Sequence, residues 1–271
     1  MSLAWDAATT PSEGNFVQRA KGAARDMLWV TQRNLIGLKR TPQLLVFATI
    51  QPVIFVLMFR YVFGGAINVP GIPYVDFLMP GIFVQTTVFG AMGAAIGLAA
   101  DLKSGLLERF RSLPMARSAV LGGRTLADLA RNTFVAALMT AVGFAVGFRI
   151  HTNALAFIAA MLLVLLFGYA LCWVFAALGL AVGDPETAQA AAFPVMAPLV
   201  FASSAFVPVS SMPGWLQAFA EHQPVSVTAS AVRALAIGGE TATYVWQSVA
   251  WCLAIFVVSA FLAVRKYRQA T

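Results

Sequence analysis

ALAFIAAMLLVLLFGYALCWVFAALGLAV, residues Ala154 to Val182, contains no Asp, Glu, Lys or Arg. About 20 helical residues cross a hydrocarbon core roughly 30 Å thick, so this run spans a bilayer with residues to spare. Inside lipid its backbone N–H and C=O groups have to bond within the segment, which makes it a helix. Working outward, the stretches Gln43 to Phe59, Phe77 to Ala100, Asn132 to Phe148 and Thr241 to Val264 are equally free of these four residues. With 60% hydrophobic and 11% charged residues in 271, the chain lies far from the composition of a soluble domain. The expected fold is an all-α integral membrane protein forming a single domain over residues 1–271. Its six transmembrane helices run from about Gln43 to Phe63, Val75 to Leu98, Leu126 to Phe148, Ala154 to Val182, Thr187 to Val207 and Thr243 to Val264.

The net charge of +7 is explained by position. Arg19, Lys21, Arg25, Arg33, Lys39 and Arg40 precede the first span, Lys103, Arg109, Arg111, Arg117, Arg124 and Arg131 fill the second connection, and Arg265, Lys266 and Arg268 follow the sixth span. Six spans place all three groups on one side, which the positive-inside bias makes cytoplasmic, with both termini there. Arg60, Arg149 and Arg233 fall on the other side. No soluble basic module is present to bind nucleic acid. Cys172 and Cys252 lie in apolar runs and read as small hydrophobes. The opening residues carry Asp6 and Glu13 and lack a secretory pattern, so the first span is expected to be retained.

Before the first span, Phe16, Ala20, Ala24, Met27, Leu28, Thr31, Leu35 and Leu38 recur at helical spacing, with Arg19, Arg25, Asp26 and Arg33 off that stripe. A basic amphipathic helix over 16–40 belongs either in the headgroup layer of membrane lipids or in the cytosol. Gly93 and Gly97, Gly143 and Gly147, and Gly179 and Gly183 form G-x-x-x-G pairs that let helices approach within a bundle or across a dimer.

The spans hold no ionisable group of the kind that an ion-driven transporter keeps near the midplane. No Gly-Lys dipeptide occurs, which excludes a P-loop on this chain. His151 and His222 stand without neighbouring Cys or paired carboxylates, against a metal site, and no catalytic constellation is present. Energy is therefore expected from outside the bilayer. The candidate handle is DLKSGLLERFRSLPMAR, Asp101 to Arg117. Over Asp101 to Arg111 it reads as an amphipathic helix, with Leu102, Leu106 and Phe110 on one face, ended by Pro114. It either docks in a partner's groove or lies on the membrane surface. Beyond it Arg124, Asp128 and Arg131 fall at i, i+4 and i+7 and predict ion pairs at a helix end.

Pro194 and Pro198 are expected to interrupt the fifth span. The connection over 208–240, with Pro208, Met212, Pro213, Trp215 and Pro224, predicts two short helices, Trp215 to Ala220 and Val225 to Ile237. Too short to cross singly, they fit a re-entrant hairpin that either caps a path or is a structural lid.

Two signatures then carry a family resemblance. One is DLKSGLLERFRSLP, Asp101 to Pro114, with GGRTLAD, Gly122 to Asp128; the other is SAFVP, Ser204 to Pro208, running through MPGWL, Met212 to Leu216, to Pro224. With the amphipathic helix and six spans, the chain resembles the permease subunits of type-2 ABC exporters, more narrowly the daunorubicin-exporter-like permeases, over nearly its whole length. The resemblance implies a connecting helix at 16–40 and a coupling-helix loop at 101–117. In that loop Asp101, Lys103, Gly105, Leu106, Glu108, Arg109, Arg111, Leu113 and Pro114 face an ABC ATPase subunit present in two copies. A second permease copy or a related permease completes the path. It further implies an extracellular hairpin at 208–240 and a path along the second and fifth spans, with Gln85, Thr86, Thr87, Pro194, Pro198, Ser203 and Ser204 as candidates. No cofactor would bind this chain, ATP and Mg belonging to the partner ATPase, and the location would be a bacterial inner membrane. An uncharged path suits hydrophobic or amphipathic cargo such as a drug, antibiotic, lipid or glycolipid. An ion-driven secondary transporter and a non-transporting scaffold stand as the alternatives.

Overall fold

The computed structural model describes residues 16–40, 42–65, 67, 69, 71–106 and 117–269. These residues form nine α-helices and no strand. They are α1 (Phe16–Arg40), α2 (Pro42–Leu57, continued by a π-helical turn Met58–Phe63), α3 (Tyr74–Lys103), α4 (Arg117–Ala145), α5 (Ala154–Val182), α6 (Pro185–Phe201), α7 (Gly214–His222), α8 (Pro224–Ile237) and α9 (Thr241–Gln269). Tyr74–Lys103, Ala154–Val182 and Thr241–Tyr267 are each long and apolar enough to cross a membrane.

α3 is the central element, packed against α4, α5, α6 and α8. Every residue from Tyr74 to Gln85 is buried. Farther along, Ala91, Ala94, Ala95 and Ala99 face inward, and a Cβ at Gly179 of α5 would meet the Ala95 backbone. Small residues thus bring α3 and α5 into backbone contact, where dispersion and packing rather than hydrophobic transfer hold helices together in lipid. Gly81 plays the same part against the Ala205 backbone, seating the turn after α6 on α3. Large apolar side chains remain exposed along the perimeter, among them Leu155, Ile158 and Leu162 of α5 and Trp246, Val257 and Phe261 of α9. Apolar exposure on that scale marks a surface built for lipid or another apolar partner.

Local signals fix the helix ends. Asn153 caps α5 by accepting the Ala156 N–H at 2.7 Å, and Gly183 (φ 75°) ends it in the left-handed region that glycine adopts without strain. Asp184 caps α6, with Pro185 at its first position. Gln223 caps α8 ahead of Pro224.

Two expectations are corrected. Asp101, Leu102 and Lys103 are the last turn of α3, not the first turn of a separate helix. The Ala-rich run before them propagates helically, and its first breaker is Gly105, which lies at φ 70°. Pro194 and Pro198 do not interrupt α6, which continues to Phe201 and stops short of Val207. Both rings lie on the exposed face, away from the buried Ala188, Ala192, Met196 and Val200, and each proline costs one backbone bond without a clash in the core. The two short helices over 208–240 form as α7 and α8. They differ in setting: α7 exposes Trp215 and Phe219, whereas α8 is buried on most of its length.

Candidate functional site

The candidate site is the junction between α3 and α4 and the groups at its two ends. Along α3, Gly90, Gly93, Gly97 and Asp101 recur at three- and four-residue spacing and so form one stripe. Antiparallel to it, α4 presents Asn132, Arg131, Asp128 and Arg124. A Cβ at Gly90 would overlap the Asn132 amide, one at Gly93 the Arg131 guanidinium, and one at Gly97 the Arg124 guanidinium. The Gly93–Gly97 pair is therefore a cradle for two arginines rather than a seam between bare helix backbones.

Charges fill that cradle. Arg124 Nη1 donates to Asp101 Oδ2 at 2.7 Å, and its Nε lies 3.9 Å from Asp128 Oδ2. Arg131 reaches Asp128 Oδ1 at 3.2 Å and donates to the Gly90 carbonyl. Asp128 is 5% exposed. A carboxylate so buried is tolerated only because two guanidinium groups flank it, and removing a partner from such a set leaves an uncompensated charge.

At the loop end of the junction, Lys103 Nζ donates to Asp184 Oδ1 at 2.6 Å. Asp184 also accepts from the Thr187 N–H and hydroxyl, both at 3.1 Å. The Lys103 hydrogen bond, followed by those from Thr187, holds the Asp184 carboxyl at about 2. The base of the loop thus ties α3 to α4 through Asp101 and Arg124, and α3 to α6 through Lys103 and Asp184. Gly105 and Leu106 follow directly. Glu108, Arg109, Arg111, Leu113 and Pro114 lie outside the described residues.

At the other end of the zipper, α2, α3 and α4 enclose a cleft of about 190 Å³ whose polar lining is Gln51, Gln85, Thr86, Arg131 and Asn132. Gln85 Oε1, Thr86 Oγ1 and Asn132 Nδ2 are buried there without hydrogen-bond partners. Such atoms are costly unless something supplies the missing bonds, and here they sit in a cleft otherwise lined mostly by apolar groups such as Phe89, Met92, Ile96 and Val135. The remaining path candidates lie elsewhere. Thr87 donates to the Phe83 carbonyl at 2.8 Å and packs its methyl against Gly168. Ser203 donates to the Val200 carbonyl at 2.6 Å, and the Ser204 N–H donates to Ser226 Oγ at 2.9 Å. Pro194 and Pro198 face outward from α6.

Sequence reasoning missed a second polar cluster at the far end of α3. Asp76, 1% exposed, accepts the Arg149 N–H at 2.9 Å and pairs with His151 Nε2 at 2.8 Å. His151 thus has a carboxylate neighbour after all, 75 residues away in the chain. Arg233 donates to the carbonyls of Phe77 at 3.2 Å and Ser204 at 2.9 Å, with its guanidinium 3.8 Å from the Phe77 ring centre. Tyr74 donates to the Phe206 carbonyl at 3.0 Å. These contacts fasten α3, the turn before Pro208 and α8 into one unit. The signal was available: a lone acid opening a span and a lone arginine in an apolar helix are both expensive there and need partners. Over 208–240, Gln217 donates to the Met212 carbonyl at 2.7 Å, and Pro213 precedes α7.

Residues 25–237 match the family described as ABC-2 type transporter. A daunorubicin resistance ABC transporter permease protein of Streptomyces coeruleorubidus is 36% identical over 265 residues, covering 96% of this chain and 92% of the relative. A probable doxorubicin resistance ABC transporter permease protein of Mycobacterium tuberculosis is 28% identical over 225 residues, covering 83% of this chain and 81% of its own length. A putative transport permease of Pyropia yezoensis is 26% identical over 226 residues, covering 81% of this chain and 73% of the relative.

Proposed function

This chain belongs to the ABC-2 type transporter family and is an ABC exporter permease subunit, and from that premise we propose how it is arranged and driven. The six spans are α2 with its π turn, α3, α4, α5, α6 and α9, with both termini cytoplasmic in a bacterial inner membrane. α1 is the connecting helix, the 101–117 loop is the coupling element, and α7–α8 is the extracellular hairpin. Two copies, or one copy and a related permease, pair with two ATPase subunits that hold ATP and Mg. The cargo is a hydrophobic or amphipathic compound of the drug class, as the names of the daunorubicin and doxorubicin resistance relatives indicate for those proteins.

The observation that carries this reading is the zipper between loop and cleft. The loop leaves α3 just after Lys103 and returns through α4, and the helices on either side of it are clamped by Asp101 and Arg124. A push on the loop by a closing ATPase cannot be absorbed by sliding α3 past α4, because Arg124 and Arg131 are keyed into the glycine stripe. The displacement passes instead to Arg131, Asn132, Gln85 and Thr86 around the cleft, and through Lys103 to α6. An ionic set keyed into a glycine stripe would pass such a displacement on better than a compliant apolar face. The groups at the cleft would bind and orient cargo from the cytosol or inner leaflet, and the far-end cluster would keep the outward side closed until the helices rock.

The test is transport in proteoliposomes holding the chain with its ATPase. Efflux of an anthracycline should need ATP and persist when proton and sodium gradients are collapsed. Gradient-driven flux without ATP would restore the ion-coupled alternative, and ATP hydrolysis with no cargo movement would restore the scaffold.

A further inference from the structure

Along α3 the residues that line the cleft change character with position. Gln85 and Thr86 come first, and Phe89, Met92 and Ile96 follow at helical spacing toward the loop, so about 16 Å of helix runs from a polar end to an apolar one. Asn132 of α4 comes against Gly90, one turn from Thr86. Gln85 is 2% and Asn132 5% exposed, and Gln85 Oε1, Thr86 Oγ1 and Asn132 Nδ2 all lack partners. α2 adds a further polar feature through its backbone. Pro52 has no N–H to give the Ala48 carbonyl one turn earlier, and both residues line the cleft.

This set carries no free charge. Arg131 reaches the cleft, but Asp128 holds it at 3.2 Å and the Gly90 carbonyl accepts a further N–H. The unpartnered atoms instead ask for a neutral group that both donates and accepts: Gln85 Oε1 accepts, Asn132 Nδ2 donates and Thr86 Oγ1 does either. Each amide turns about its last bond at little cost, so the pair reads such a group in either orientation. Size sets a second condition. Pockets that enclose a drug-sized molecule run to about 300–1,000 Å³, whereas this one is about 190 Å³. It holds one end of such a molecule and leaves the rest at the mouth, where Ala48 and Gln51 are exposed. We propose that the cleft selects cargo by an uncharged end that carries a hydroxyl and a carbonyl on an apolar frame, with Gln85, Thr86 and Asn132 as the specificity-determining residues. The hydroxyl donates to Gln85 or Thr86, the carbonyl accepts from Asn132, and the frame lies on Phe89, Met92 and Val135. The proposal rests on the reading of the cleft as the cargo site.

The full chain in nanodiscs at pH 6 is dialysed to equilibrium with 7-hydroxycoumarin, and uptake by nanodiscs without the chain is subtracted. 7-Methoxycoumarin, which lacks the donor, and 7-hydroxycoumarin-3-carboxylate, which adds a charge, should each bind at least about tenfold more weakly, the effect of one buried hydrogen bond or of one unpaired charge. Q85M/T86V should bring the hydroxy and methoxy probes within about twofold of each other, and Asn132→Leu should weaken both, since both keep the carbonyl. Because the three atoms have no partners in the protein without ligand, these near-isosteric changes should leave the thermal midpoint unchanged or raise it. Equal affinity of the hydroxy and methoxy probes for wild type overturns the proposal, as does a preference that survives in Q85M/T86V or tighter binding of the carboxylate. A midpoint that falls together with binding overturns it as well, because the side chains would then be holding the fold rather than the ligand. No ATPase is present in this assay, so a negative result leaves ATP-driven efflux standing, and loss of ATP-driven efflux leaves a positive binding result standing.

Discussion

Asp128→Ala removes the one carboxylate that both arginines of the zipper share. Arg124 keeps Asp101 at 2.7 Å, but Arg131 keeps only the Gly90 carbonyl. Breaking a buried ion pair from one side costs about 3–5 kcal/mol. Here the two arginine side chains are 20% and 19% exposed and one retains a second acid, which lowers the expected cost to roughly 2–3 kcal/mol. At about 2–4 °C per kcal/mol for a chain of this size class, the apparent unfolding midpoint should fall by about 4–12 °C. Tryptophan fluorescence during heating in detergent measures it. The cost comes from the stranded charge and not from the lost contact, so Asp128→Ala with Arg131→Gln should regain about half of the loss or more. Midpoints of the two single variants that simply add in the double variant would refute this reasoning, as would a fall of under about 1 °C for Asp128→Ala.

Three further outcomes follow from the same junction. Gly97→Ala should expel Arg124 from its cradle and destabilise by about 1–3 kcal/mol, and adding Arg124→Ala should relieve the clash; a midpoint series in detergent reads both. Replacing Glu108 or Arg109 with Ala should leave membrane insertion unchanged while ATP hydrolysis in the assembled transporter no longer drives efflux, and wild-type coupling in both variants would remove the loop from its role. Because the folded Asp184 carboxyl sits at about 2, below its ordinary 3.8, its contribution is present above about pH 4 and is lost as pH falls through about 2. Thermal midpoints of wild type and Asp184→Asn should therefore differ at pH 6 and converge near pH 2.

The sequence was most legible where one physical effect acted alone. The charge-free run from Ala154 to Val182 matches α5 to the residue, since lipid demands a helix and Asn153 and Gly183 mark its ends. The spacing of Arg124, Asp128 and Arg131 foretold a shared face, because neighbours at i+3 and i+4 are set by helix geometry. Legibility failed where tertiary contact decided. Charge at Asp101 and Lys103 read as a boundary, although helix propensity carries α3 through both to Gly105. Gly93 and Gly97 read as a bare helix seam because nothing local reveals that arginines from α4 occupy the groove. His151 read as solitary because its partner Asp76 opens another span. Within the path candidates, Gln85 and Thr86 reach the cleft while Thr87 does not, a difference of about 100° of helix rotation per residue that no motif fixes.

Native mass spectrometry of the intact assembly, extracted in mild detergent from its own membrane, tests the permease reading most directly. The account predicts a mass equal to two permease chains, identical or related, plus two soluble ATPase subunits. A mass showing this chain without any ATPase subunit, under several gentle extraction conditions, would contradict it.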